Sequence, residues 1–213
     1  MELKDYTGVC YLHIPKCGGT YVENVLNAHL PKKDKMLQLA GHSSTYPPRY
    51  SGYYGKLLPI ATVRNPFDLL VSIYFHGGDV GIGRSAGFGY VNKILGFKSF
   101  DEFVTYYCEN GDYSEVPHLL PLKDEFLFQP LLDNGNIIPD VVIKMEELDQ
   151  GCTQLLKGFG IEKIPLEVDS NVSQYRPKGS AGNYKNFYSP KIKEMVEKRV
   201  KRDLELFNYS FEG

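Results

Sequence analysis

Apolar residues in this chain come in short unbroken runs, punctuated by glycine, proline and polar turns, and between the runs they recur at helical spacing. Val9 to Ile14 predicts a buried strand, followed by a turn over Pro15–Gly19. Val22, Val25, Leu26 and His29 then mark one face of a helix that reaches Pro31. Met36 to Ala40 predicts a second strand, ending at Gly41-His42. Leu57 to Val63 is a third, a continuous apolar run suited to a parallel sheet covered on both faces. It stops at Arg64-Asn65-Pro66, where Asn65 caps a helix running from Pro66 to about Phe75, with Asp68 in its first turn. Further helices are expected over Phe100–Asn110 and over Leu148–Phe159, the latter closed by Gly160, with a buried strand at Val141–Lys144. Ser189 and Pro190 open a last helix whose apolar face is Ile192, Met195, Val196, Val200, Leu204 and Phe207. Strands alternating with helices predict a three-layer α/β fold, a central mostly parallel sheet flanked by helices, in one domain over residues 1–213.

Composition narrows the partners more than the fold. The net charge of -2 lacks the basic excess expected of a nucleic-acid or anionic-membrane surface. Cys10, Cys17, Cys108 and Cys152 form no C-x-x-C pair, so neither a zinc motif nor a dense disulfide framework is expected. No segment reaches membrane-spanning length and the start, MELKDYTG, has no signal-like apolar stretch. The expectation is a cytoplasmic, soluble protein with reduced thiols. His76 to Gly89 holds six glycines and predicts a mobile loop.

The chemistry concentrates after two of the strands. VCYLHIPKCGGTYVENVL, Val9 to Leu26, runs strand, glycine turn, helix, an order that makes anion sites from the unpaired N–H groups of a helix start. A Walker-type loop would carry its lysine after the glycines; here Lys16 precedes Gly18 and Gly19, and Thr20 opens the helix. By itself the pattern also fits an ordinary βα turn. In IATVRNPFDLLVSIY, Arg64 stands at the carboxyl end of a buried strand, where open α/β sheets bind ligands, and its planar fork suits a phosphate. Ser72, on the following helix, adds a hydroxyl; Arg64 alone could equally serve a surface salt bridge. A nucleotide kinase places an aspartate at a buried strand end to hold Mg²⁺, whereas this chain has arginine there. Since a sulfuryl group carries less charge than a phosphoryl group, the expected anion is a phosphosulfate, with no metal required.

HIPKCGGT followed by RNPFDLLVSIY resembles the two cofactor motifs of sulfotransferases, in particular the carbohydrate-type sulfotransferase family 2 that includes uronosyl 2-O-sulfotransferases. VVIKMEEL (Val141–Leu148) and RDLELFNY (Arg202–Tyr209) resemble later parts of the same family, as does Phe126-Leu127. The resemblance implies a P-loop-like fold and the donor 3′-phosphoadenosine-5′-phosphosulfate (PAPS). It implies that Lys16, Cys17, Gly18, Gly19, Thr20 and Tyr21 hold the 5′-phosphosulfate and that Arg64 and Ser72 hold the 3′-phosphate. One departure is Leu69, where a basic residue often follows the aspartate of the second motif. RPKGSAGNYKNF resembles the RKG-type loop of cytosolic sulfotransferases with a proline inserted, implying a lid through Arg176, Lys178 and Gly179.

Catalysis would fall to Lys16, against charge growing on the leaving oxygen, and to a base for the acceptor hydroxyl. Among the histidines, His13 reads as a core residue of the first strand; His42 follows a strand end and its Gly41-His42 pair resembles the segment carrying the 2-O-sulfotransferase base. His76, a carboxylate, or no base at all remain alternatives. The expected partners are a nucleotide donor and a hydroxyl acceptor on a glycan, lipid or small alcohol. Competing functions are a P-loop-like nucleotide kinase, marked by Mg²⁺-dependent ATP turnover, and a non-catalytic nucleotide-binding module.

Overall fold

The computed structural model describes residue 3 and residues 5–30, 37–40, 46–75, 97–109, 127–162 and 183–213. They pack as two compact units, one from residues 1–64 and 130–171, the other from residues 65–129 and 172–213.

The first unit is built on a four-stranded parallel sheet: β1 (Gly8–Leu12), β2 (Leu37–Ala40), β3 (Leu57–Val63) and β6 (Val141–Lys144). Strand order is β2-β1-β3-β6. β1 pairs Val9 with Leu37 on one side and with Leu58 on the other. The chain leaves β1 toward β2 and then returns to lay β3 on the opposite flank of β1. That reversal is a topological switch point, and open α/β sheets receive ligands at the carboxyl ends of the strands beside such a point. Helix α1 (Gly19–His29) makes the β1-to-β2 crossover, and α4 (Leu148–Gly158) follows β6. Val22, Val25 and Leu26 of α1 meet Val9, Tyr11, Leu58 and Ile60 of the sheet and Cys152, Leu155 and Leu156 of α4 in one core. Residues of the opposite sheet face, Cys10, Leu12, Ala61 and Val63, are equally buried, as the unbroken apolar runs require.

Several boundaries move from the sequence expectation. β1 stops at Leu12 rather than Ile14, because the His13 carbonyl accepts a hydrogen bond from the Tyr46 hydroxyl at 2.8 Å instead of extending the ladder. The second strand is described over Leu37–Ala40, and its expected first residue, Met36, lies outside the described residues. α4 closes as expected: Gly160 takes φ +80° while Ile161 N–H bonds the Leu156 carbonyl at 3.1 Å, a Schellman ending. An unexpected hairpin joins β4 (Leu132–Asp133) to β5 (Asn136–Ile137). Its turn residues Asn134 and Gly135 both have positive φ, the I′ geometry that an Asn-Gly pair signals.

The second unit is helical among its described residues: α2 (Pro66–Tyr74), α3 (Phe100–Glu109), α5 (Pro190–Arg199) and α6 (Lys201–Phe207). The Asn65 side chain caps α2 by accepting from Phe67 N–H at 3.0 Å, with Pro66 in the first position, as expected. Phe67 sits among Tyr184, Tyr188 and Phe211 with ring centroids 4.9–6.4 Å apart. The single terminal helix of the sequence reading is broken at Val200 (φ -106°, ψ 20°), and Ser189 makes no side-chain cap bond. The break turns the buried stripe so that Asp203, not Leu204, lies fully inside. There its carboxylate accepts from Leu127 and Phe128 N–H groups at 3.0 and 3.1 Å. Among the described residues no helix is long and apolar enough to cross a membrane.

Candidate functional site

At the carboxyl end of β1 the chain turns through residues in unusual backbone conformations. Lys16 has φ +65° and Gly18 φ +80°. A left-handed residue on each side of Cys17 coils the loop so that it can present successive N–H groups, the concave arrangement that receives anions. Gly18 serves as the N-cap of α1 with no side-chain cap, which leaves the first-turn donors to another partner. The φ of +80° favours glycine there, and Leu148 Cδ1 lies close enough that a Cβ would come within 2.6 Å of it. The segment after β6 therefore buttresses the loop from below.

Arg64, one residue past β3, is buried, and its Nη1 donates to the Lys16 carbonyl at 3.0 Å. The two strand ends expected to carry cations are thus tied together by a direct hydrogen bond. Lys16 is shifted downward to about 8, first because its ammonium is partly removed from water and then because the Arg64 charge lies near it. Two cations held near the ends of adjacent strands oppose each other, and an anion between them would relieve both. Cys17 is fully buried, and burial pushes its thiol up to about 12, which favours the protonated form over the thiolate.

The remaining sequence-expected residues divide. Gly19 and Thr20 open α1, Gly19 buried and Thr20 exposed. The Tyr21 hydroxyl donates to Asp149 at the start of α4, so that group braces two helices. Ser72 is buried within α2, in the second unit. His42, His76, Arg176, Lys178 and Gly179 lie outside the described residues. What sequence reasoning misread is His13, assigned to the core of the first strand. It stands past the strand end, partly exposed, with Nδ1 2.6 Å from Glu23 Oε1. The ten-residue separation matches no helix or strand period, so no pattern announces the pair.

The fold and loop together define a parallel α/β protein whose glycine turn, at the carboxyl end of β1, has the backbone form suited to a phosphate-like anion. The chain belongs to the sulfotransferase family, whose model matches residues 3–210. It is therefore a transferase that moves sulfuryl groups from a donor to an acceptor, and membership does not favour the kinase reading. No curated protein matches the chain.

Proposed function

We propose that this protein transfers a sulfuryl group from PAPS to an acceptor hydroxyl on a carbohydrate, by in-line displacement. The observation that carries the reading is the Arg64–Lys16 hydrogen bond at 3.0 Å, which brings the two motif segments together and so supports a shared anion site. The residues present fit the donor's chemistry. The glycine loop, the positive φ values and the half-buried ammonium suit a group bearing phosphate and sulfate oxygens.

Bound there, PAPS would supply the activated sulfuryl group and a bisphosphate leaving group. Lys16 and the N–H groups of residues 17–21 would stabilise charge that grows on the departing oxygen, an interaction strongest in the transition state. Arg64 would hold the 3′-phosphate while fixing the loop through the Lys16 carbonyl. Ser72 on that phosphate, His42 as the base that takes the acceptor proton, and Arg176, Lys178 and Gly179 as a lid follow from the family resemblance. A uronosyl 2-O position is the acceptor class that the same resemblance suggests.

Thermal melts test the donor. Adenosine 3′,5′-bisphosphate should raise the melting temperature in proportion to the logarithm of its concentration, and ATP with Mg²⁺ should do so only weakly. Equal stabilisation by the two nucleotides would remove the assignment.

A further inference from the structure

The edge of the His13 ring lies against Gly19, where α1 begins. A Cβ on Gly19 would stand 1.9 Å from His13 Nε2, 2.3 Å from Cε1 and 2.5 Å from Cδ2. The imidazole thus fills the space that any side chain at position 19 would need. Gly19 is not among the residues with positive φ, so its backbone makes no demand for glycine. The ring does.

The ring is held from several directions. Nδ1 meets Glu23 Oε1 at 2.6 Å, one turn farther along α1. A carboxylate only accepts, so Nδ1 carries the proton and the tautomer is set by Glu23. The ring stacks on Tyr11 with centroids 5.4 Å apart, and the Tyr11 hydroxyl is paired with Thr62 Oγ1 of β3 at 2.6 Å. The His13 carbonyl takes the Tyr46 hydroxyl. An aliphatic side chain could fill the same volume, but no hydrogen bond would lock its rotation.

We propose that His13 is a positioning residue for sulfuryl transfer: clamped by Glu23, its ring wedges against Gly19 and fixes the first turn of α1. The aim of the loop N–H groups at the donor anion then depends on that wedge. This assignment rests on the donor reading above.

The probe is adenosine 3′,5′-bisphosphate, titrated calorimetrically into the full chain and into variants whose melting temperatures are also recorded. Gly19→Ala should weaken binding roughly tenfold or more, because a small displacement of a positioned group is costly. His13→Ala and Glu23→Ala should each weaken binding severalfold at temperatures where both are folded. Glu23→Gln keeps an acceptor oxygen and should recover most of what Glu23→Ala loses. In His13→Ala/Gly19→Ala the clash is gone, so the double variant should bind more tightly than Gly19→Ala alone, a coupling that two independent sites would not show. If His13→Ala fails to fold, the Glu23 pair of variants carries the comparison. Wild-type binding that persists unchanged in the His13→Ala and Glu23→Ala variants overturns the assignment, whatever their melting temperatures do. A wild-type chain that does not bind the bisphosphate overturns the donor reading and this assignment with it.

Discussion

At Lys16 two unfavourable conditions coincide: a residue with a Cβ at φ +65°, and an ammonium partly withdrawn from water beside a guanidinium. The first costs about 1–2 kcal/mol for an L-residue, and the second appears as the fall in its pKa to about 8. For stability the sign is fixed by the unfolded chain, which holds the Lys16 proton up to the ordinary lysine value of 10.5. Between about 8 and 10.5 the unfolded state binds more protons, so this group's contribution to stability rises with pH across that window. For binding the direction is opposite. An anion favours the ammonium, so affinity for the bisphosphate should fall as pH rises through about 8, by up to about one decade per pH unit. Lys16→Met should bind more weakly and lose the slope. Calorimetry from pH 7 to 9 checks both, and a flat wild-type profile would sink the idea. Arg64→Ala should weaken the bisphosphate by about 1.5–3 kcal/mol, the range for hydrogen bonds to charged groups. Wild-type affinity in that variant would end the 3′-phosphate role.

Between elements, contact distance decides what propensity alone would misjudge. Gly151 lies inside α4, where alanine ordinarily gains about 0.5–1 kcal/mol. A Cβ there would lie 2.4 Å from Ile143 Cγ2 on β6, and overpacking of that kind costs about 1–3 kcal/mol. The clash should win: Gly151→Ala should lower the melting temperature, and Ile143→Ala in the same chain should relieve the clash. A more stable Gly151→Ala would mean that α4 shifts freely on the sheet. The same distinction explains how far the chain could be read. Strand β3 and the Asn65-Pro66 helix start were legible because continuous apolar runs and caps are local signals. Lys16, Gly18 and Arg64 were legible as a turn and a strand end. The Asn-Gly hairpin was also written locally, in DNGN, and went unread. The His13–Glu23 pair, the Leu148 contact at Gly18 and the Val200 break depend on packing between segments, which no period in the sequence encodes.

Across the whole molecule, the family match over residues 3–210 runs through both packing units. Each unit is assembled from two stretches of chain that are not adjacent in sequence: residues 1–64 with 130–171, and residues 65–129 with 172–213. Neither can be cut out as one continuous fragment, and neither completes its packing before late parts of the chain are present. We therefore propose that the chain unfolds as a single domain, with one cooperative transition. Asp203 provides the lever. Its buried carboxylate accepts two N–H groups from Leu127 and Phe128, 76 and 75 positions earlier and in the other stretch of chain that makes up that unit. Burial raises its pKa to about 7, so melts belong at pH 8, where the carboxylate is charged. Asp203→Ala strands both donors and should cost about 2–4 kcal/mol, which for a chain of this size is a fall of roughly 5–10 °C. The chain has no tryptophan, so the near-UV signal comes chiefly from its 16 tyrosines and can be followed beside calorimetry. In a single domain, one transition moves down by the same amount in both measurements, and the bisphosphate, for which Lys16 and Arg64 of the first unit are the proposed charged contacts, raises that same transition. Two resolved transitions, with Asp203→Ala lowering one and the nucleotide raising the other, would show two independent folding units and refute the single-domain reading.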